Sequence, residues 1–115
     1  MSKAVYLQPY GLYLARKYAE AEGYTLEFIQ GKQRHSEVSR ARGAVIWRLA
    51  KETDLTLPEI GAIVKKDHTS VLHAIRAENE RRGAAVRGMF FPAGYKERHR
   101  ASANLYNAMN AEVTA

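Results

Sequence analysis

The sequence predicts an all-α fold, a bundle of several helices followed by a C-terminal tail. Apolar residues recur at the three- and four-residue spacing of helices, and candidate capping residues stand where several of these segments begin. Proline and glycine separate the segments, and no pair of alternating stretches indicates a strand pair. The chain has 115 residues, of which 46% are hydrophobic. That length and composition suit one compact domain and a tail.

The first half of the chain predicts three helices. The first runs over residues 10–22 and is opened by Pro9. The second is short, over residues 26–30, and Thr25 is its expected cap. Residues at core-like spacing in the first helix are Leu12, Ala15, Tyr18 and Ala19.

The third predicted helix is the longest and begins after a basic loop at residues 31–36. Ser36 or Ser39 is expected to cap it, and it runs to about Glu52. Trp47 is expected at the edge of its apolar stripe. The stripe itself consists of Ala41, Val45, Ile46, Leu49 and Ala50.

A helix-turn-helix is predicted next. Thr56 and Glu59 have the spacing of a capping box, and Pro58 lies in the first turn, where its missing N–H costs nothing. This fourth helix ends at Lys65-Lys66, and a fifth helix is predicted from about Asp67 until Gly83. The short turn makes the two helices cross sharply. Their predicted core residues are Ile60, Ile63, Val64, Val71, Leu72 and Ile75.

The helical pattern weakens after residue 83. We therefore predict a domain over residues 1–83 and an extension of unknown role over residues 84–115. Glycine and proline make the region around residues 89–91 irregular. A last helix is predicted from Tyr95 or Lys96 to Met109, and the final residues are expected to fray.

The chain is basic, with a net charge of +6 and a pI near 9.7. Such an excess favours a polyanionic partner, chiefly nucleic acid or an anionic membrane surface. Six basic residues and one acidic residue lie between Lys32 and Lys51, and a second basic cluster runs from Arg81 to Arg100. Two solvated helix faces are the alternative interpretation. No apolar run approaches membrane-spanning length, and the N-terminal residues do not lead into a signal-peptide core. There are no cysteines, which fits a cytoplasmic setting.

The start of the fifth helix carries side chains suited to a DNA groove. Asp67 could accept a hydrogen bond from a cytosine amino group, and His68 could bond to a base edge. Thr69 offers a hydroxyl and a methyl group that suits a thymine methyl. Alternatively, Asp67 is only an N-cap and the hydroxyls of Thr69 and Ser70 are solvated. His73 is either packed at the edge of the core or a phosphate contact.

Four motifs in order resemble the C-terminal DNA-binding domain of the bacterial replication initiator DnaA. They are Val38-Ser39-Arg40-Ala41-Arg42, Leu49-Ala50-Lys51-Glu52, Leu57-Pro58-Glu59-Ile60-Gly61 and the run from Asp67 to Ala74. The resemblance covers most of the first 80 residues, and the tail after residue 83 matches nothing in the family. Gly43 stands where the family commonly has a phosphate-binding glutamine, and the turn at Lys65-Lys66 is shorter than usual.

The resemblance implies sequence-specific binding of a duplex DnaA box. Arg34 matches the arginine that enters the minor groove, and Lys51 matches a lysine that contacts the major groove. The base-contacting triplet corresponds to Asp67, His68 and Thr69. Phosphate contacts are implied at Arg42, Ser70 and His73 and at the backbone of Leu57 and Pro58. Because of their charge, we expect Arg40, Lys65 and Lys66 to contact phosphates as well.

No catalytic, metal or nucleotide site is predicted. There is no His-Glu-x-x-His helix, and Asp54 and Asp67 show no carboxylate partner that could help to hold a metal ion. Gly31-Lys32-Gln33 lacks the spacing and hydroxyl of a Walker motif. We therefore expect a protein that is not an enzyme, has no cofactor and does not bind ATP.

The predicted function is binding of double-stranded DNA at DnaA-box-like sites, in the cytoplasm and associated with the nucleoid. The protein would regulate replication initiation or transcription, and it could derive from a phage or mobile element. The alternative is a protein-interaction module that keeps the helix-turn-helix fold. Tyr6, Tyr10 and Tyr13 could bind a partner or belong to the core or its edge. The stretch Met89-Phe90-Phe91 could serve self-association or pack back on the domain.

Overall fold

Every regular element is helical in the computed structural model, which describes residues 9–32 and 35–95. The predicted all-α class is confirmed. No helix within these two ranges is long and apolar enough to cross a membrane. The elements are α1 (Pro9–Ala21), α2 (Leu26–Ile29), α3 (Ser36–Glu52), α4 (Leu57–Val64) and α5 (His68–Arg82), followed by a 3₁₀ turn at Val86–Gly88.

Helix α3 lies at the centre of the bundle and packs most extensively on α5 and α1. Its predicted apolar stripe is fully buried, as are Val71 and Ile75 on α5. Leu12 and Leu72 were expected in the core, and both are only partly buried. Apolar side chains from all five helices therefore form one core around α3.

Two of the three caps predicted for α2, α3 and α4 are present. The Thr25 hydroxyl accepts a hydrogen bond from the Phe28 N–H at 3.1 Å. The capping box is complete, with the Glu59 N–H bonded to the Thr56 hydroxyl and the Thr56 N–H to the Glu59 carboxylate. The expected serine cap of α3 is wrong. His35 is the N-cap, in extended conformation and without a side-chain bond, because the helix already includes Ser36.

Asn79 joins α5, α3 and the segment after α5. Its side-chain oxygen accepts from the Trp47 indole N–H at 2.9 Å and from the Val86 N–H at 3.0 Å. Its amide nitrogen donates to the Val86 carbonyl at 3.0 Å and the Met89 carbonyl at 2.8 Å. The expectation that Trp47 lies at the edge of the stripe is wrong, since it is 8% exposed and its polar atom is satisfied internally. The buried amide thus makes all four of its hydrogen bonds.

The C-terminal end of α3 is capped from the following segment. The Arg87 guanidinium donates to the Ala50 carbonyl at 2.9 Å and to the Thr53 carbonyl at 2.8 Å. A cation at this end of a helix satisfies carbonyls that have no partner within the helix and complements the dipole. Residues 84–89 therefore pack on α3. The predicted helix over residues 96–109 lies outside the described residues.

The turn between α4 and α5 depends on Gly61. The Lys66 N–H donates to the Gly61 carbonyl at 2.8 Å, and the Lys66 carbonyl lies where a Cβ at position 61 would be. Lys65, between the two helices, adopts the left-handed conformation with φ 61°. Only a residue without a side chain allows this close approach.

We expect Gly61→Ala to destabilise the protein, although the same change inside a helix normally stabilises it by about 1 kcal/mol. The new methyl group would overlap the Lys66 carbonyl, and such overpacking costs about 1–3 kcal/mol. Urea unfolding monitored by circular dichroism measures the difference.

Gly43→Ala is the matched control, because the nearest atoms to its Cβ would all belong to the Glu78 side chain, at 3.3 Å or more, and none to the backbone. Equal or greater stability of Gly61→Ala relative to the unmodified protein would contradict the role assigned to this contact.

Candidate nucleic-acid interface

The first turn of α5 presents a row of exposed polar side chains. Asp67 is the N-cap, and its Oδ1 atom accepts from the Ser70 N–H at 2.8 Å. This backbone hydrogen bond, together with one from the Ser70 side chain, holds the pKa of the Asp67 carboxyl below its ordinary value. Residues 67–70 are all exposed. The predicted capping role of Asp67 is confirmed, and it leaves His68 and Thr69 accessible at the head of the helix.

A groove between α3 and α5 adjoins this turn. It brings together five of the predicted phosphate contacts, which are far apart in sequence, and we call it the α3–α5 groove. Its polar and charged lining consists of Ser39, Arg40, Arg42, Lys66, Ser70, His73, Glu78 and Arg81. Three cationic side chains, and Arg81 as part of its pair with Glu78, thus line one concave surface beside the exposed turn of α5.

Two of these cations also hold the start of the basic loop. The Arg42 guanidinium donates to the Ile29 carbonyl at 2.8 Å and to the Gly31 carbonyl at 3.3 Å. The Lys66 ammonium donates to the same Gly31 carbonyl at 2.9 Å. The basic loop that carries Arg34 therefore starts at the Gly31 carbonyl, which is bound both by Arg42 of α3 and by Lys66 of the helix-turn-helix. Arg34 itself lies outside the described residues.

Burial disfavours the charged forms of Arg42 and Lys66. Burial lowers the pKa of Arg42, and the pKa of Lys66 is lowered by burial and by repulsion from Arg42 and Lys32. An anion placed in the groove would relieve this repulsion. Glu78 is the acidic residue of the lining, and its carboxylate is paired with Arg81 and Arg82.

The arginines after residue 78 have internal contacts. Arg81 and Arg82 both pair with the buried Glu78 carboxylate, with the Arg82 Nε atom 2.7 Å from it. The Arg82 guanidinium also lies 4.4 Å from the centroid of the Trp47 ring. Among described residues, Arg81 thus lines the groove as part of its pair with Glu78, whereas Arg40, Arg42 and Lys66 line it from α3 and from the turn before α5.

Other predicted contacts lie outside the groove lining. Lys51 is exposed near the end of α3, with its ammonium 5.3 Å from the centroid of the Trp47 ring. Lys65 is exposed in the α4–α5 turn, and Leu57 and Pro58 form the first turn of α4. The structure assigns none of these side chains to DNA, so their contacts stay predictions.

The family comparison concerns the part of the chain that builds this surface. Residues 14–77, more than half of the chain, match the bacterial DnaA protein helix-turn-helix. The chain belongs to this DnaA family. The match begins within α1 and ends within α5, so it includes the groove and the exposed turn. The predicted relationship is confirmed, and membership supports DNA binding.

Two relatives are chromosomal replication initiator proteins DnaA. The protein of Picosynechococcus sp. is 40% identical over 57 residues, which are 49% of this chain and 13% of that protein. The protein of Gloeobacter violaceus is 46% identical over 50 residues, which are 43% of this chain and 11% of that protein. The likeness thus covers a small part of each initiator. No solved structure gives a significant match.

The sequence prediction for this DnaA-family domain missed Ser39 as a groove residue. Ser39 was considered only as a cap of α3, yet it lines the groove beside Arg40 and Arg42. Its spacing from Arg42, Gly43 and Ile46 on one helix face was the available signal. The packing of Gly43 against the Glu78 side chain was also missed, because it joins residues 35 positions apart.

The tyrosines expected on α1 are exposed where they are described. Tyr10 is 65% and Tyr13 is 54% exposed, and their rings stack with centroids 6.3 Å apart. Tyr6 lies outside the described residues. The described part of the chain holds no group of three or more residues that could bind a metal ion.

The Asp67 cap predicts a dependence of stability on pH. Because its folded-state pKa is lowered, the charged cap stabilises the protein above the ordinary aspartate pKa. This contribution to stability is lost as the pH falls through the pKa that Asp67 has in the folded protein. We therefore expect Asp67→Asn, which keeps a capping oxygen, to melt below the unmodified protein at pH 7.

The gap between the two melting temperatures should close under acid, and thermal melts from pH 7 to pH 2 measure it. Asp54→Asn, at an exposed loop position outside the cap, is the control. A gap that stays constant over this range would contradict the stabilising role of the Asp67 charge.

Proposed function

We propose that this protein binds double-stranded DNA sequence-specifically at DnaA-box-like sites through its helix-turn-helix. The observation that carries this proposal is the position of Asp67, His68 and Thr69. They lie together, exposed, at the start of a helix beside a groove lined by cations. A helix that enters the major groove with its first turn places such side chains against base edges.

The triplet supplies hydrogen-bonding groups of the kinds that distinguish base pairs. The Asp67 carboxylate uses one oxygen as a cap and can still accept from a cytosine amino group, while the His68 ring can donate or accept. The Thr69 methyl group suits a thymine methyl. Capping and base contact are therefore compatible in one turn.

The α3–α5 groove is proposed to follow one strand of the DNA backbone. Arg40, Arg42 and Lys66 would neutralise phosphates and His73 would donate a hydrogen bond to one, while the Ser70 hydroxyl would turn from the Asp67 carboxylate to donate to another. Such contacts fix the position of the protein on the duplex without reading its sequence. Lys65 and the first turn of α4, at Leu57 and Pro58, would extend this backbone contact.

Two further base contacts are proposed from family membership. Arg34 would enter the adjacent minor groove, where a narrow A/T-rich segment strengthens the negative potential. Lys51 would contact a base in the major groove. The bonds from Arg42 and Lys66 to Gly31 support the first of these, since they anchor the loop that leads to Arg34.

The proposed role is occupation of sites that a replication initiator would use. The relatives named above are initiators, and the similarity is confined to about a tenth of their length. We propose that this domain acts by binding DNA, without ATP hydrolysis of its own, with an effect on replication initiation or on transcription from nearby promoters.

Selection of bound duplexes from a random pool at a stated salt concentration tests this proposal. We expect enrichment of one short motif related to the DnaA box. Enrichment of no motif would overturn sequence-specific binding. Enrichment of an unrelated motif would leave base contact by the triplet in place, but it would overturn the proposal that the target resembles a DnaA box.

Variants of the triplet test base contact directly. We expect Thr69→Ala and His68→Ala each to cost about 1–3 kcal/mol on the selected site and little on random duplex. Fluorescence anisotropy on both duplexes gives the comparison. Equal losses on the two DNAs would count against direct contact with bases.

Lys65→Gly is expected to change stability and binding in opposite directions. Glycine relieves the left-handed backbone at φ 61°, for a gain of about 0.5–1 kcal/mol in stability. Loss of the charge should weaken binding to both duplexes and reduce the salt slope by about one unit. Unchanged salt dependence would remove Lys65 from the set of phosphate contacts.

A further inference from the structure

Residues 84–95 follow α5, pack back on the bundle and contact His73, a residue of the α3–α5 groove. We call them the C-terminal arm. The arm lies outside residues 14–77, the part of the chain that matches the DnaA family. Its regular structure is limited to the 3₁₀ turn and to its last described residue, which is helical. Its fixed position must therefore come from side-chain contacts with the helices.

Two polar anchors hold the arm against the bundle. Asn79, 1% exposed, binds the N–H and carbonyl of Val86 and the carbonyl of Met89. Arg87 binds the last carbonyls of α3. The side chains of Ala84, Val86 and Met89 pack against the core between these anchors. The backbone is thus fixed as far as residue 89 at several independent points.

Phe91 follows two residues after this fixed point and contacts His73. The two rings lie with centroids 5.2 Å apart and planes at 64°, an edge-to-face arrangement. On its other side Phe91 stacks on Tyr95, with centroids 4.6 Å apart and planes at 15°. Edge-to-face and offset stacked pairs are the favoured geometries of aromatic rings. Phe91 is therefore held between two rings.

The contact leaves His73 accessible. His73 is exposed and lines the α3–α5 groove, whereas Phe91 is half-buried and lines the cavity on the other side, between α5 and the arm. A ring that blocked the groove would bury the histidine. Phe91 instead contacts the imidazole edge to face and leaves the groove open.

We propose that Phe91 is a positioning residue for DNA binding, which holds the His73 imidazole at the wall of the groove where a phosphate would lie. The arm is then part of the DNA-binding unit. This proposal rests on the proposed function, because it assumes that His73 contacts DNA. Fixing a side chain before binding reduces the entropy that binding must overcome. Helix α5 both carries His73 and, through Asn79, anchors the arm that orients it.

The test uses the full chain with Phe91→Ala, Phe91→Leu and His73→Ala, and Phe90→Ala as the matched control. Phe90 is adjacent and 51% exposed, so its removal deletes the same ring without the described contact. Phe91→Leu keeps apolar volume if the alanine variant is poorly folded. Circular dichroism melts establish that each variant is folded.

The first readout is the NMR position of the His73 ring protons, which sense the ring current of Phe91. We expect them to shift in Phe91→Ala and Phe91→Leu and to stay in place in Phe90→Ala. These shifts report the ring contact itself, and the affinity cycle decides whether the contact positions His73. Unchanged resonances in both Phe91 variants would overturn the proposal.

The second readout is DNA affinity in a double-mutant cycle. We expect Phe91→Ala to weaken binding about two- to tenfold on both the selected and the random duplex, as His73→Ala does. The double variant should bind no worse than His73→Ala alone. Fully additive losses, or no loss in either single variant, would overturn the positioning role.

Thr69→Ala separates this proposal from the proposed function. If Thr69→Ala abolishes discrimination between the duplexes while Phe91→Ala does nothing, the proposed function stands and the positioning role fails. If Thr69→Ala leaves discrimination unchanged, base contact by the triplet fails, whatever the Phe91 variants show.

Discussion

The close approach of Lys66 to Gly61 is the constraint on which the candidate interface depends. It joins α4 to α5 through a hydrogen bond and through a carbonyl that occupies the space of an absent side chain. Lys65 must adopt a left-handed conformation to make the turn this short. The start of α5 is consequently held against α4, and its first-turn side chains are exposed beside the cationic groove. A looser turn would let the same side chains sample positions that no single DNA register could use.

Net charge alone did not show which basic residues line this surface. The sequence holds two basic clusters, but their described members have different surroundings. Arg81 and Arg82 meet the buried Glu78, and Arg87 meets the end of α3, so these cations stabilise the fold. Arg40, Arg42 and Lys66 line one groove, whereas Arg81 reaches the same groove as part of the Glu78 pair. Placement, rather than net charge, therefore distinguishes a candidate phosphate-binding surface from a structural network.

Local sequence patterns predicted the helices well. The capping box at Thr56 and Glu59 and the cap at Asp67 depend on residues three positions apart, which a sequence displays directly. Contacts between distant residues were not predictable in this way. Asn79 looked like one polar residue among the charges of α5, and only the packing of α3 and the arm makes it a buried centre of four hydrogen bonds. The same limit applies to Trp47, whose position at the edge of the stripe was wrong because its partner lies 32 residues away.

The Gly31 carbonyl gives each of the cations around it a second role, as an anchor of the basic loop. It accepts from both Arg42 and Lys66, which come from different helices. An ammonium has three N–H groups and a guanidinium five, so each cation can hold this carbonyl and still donate elsewhere. Removing either side chain would change the local charge and release the start of the loop together. A substitution at position 42 or 66 therefore combines two effects on affinity, the loss of a positive charge in the groove and the release of the loop.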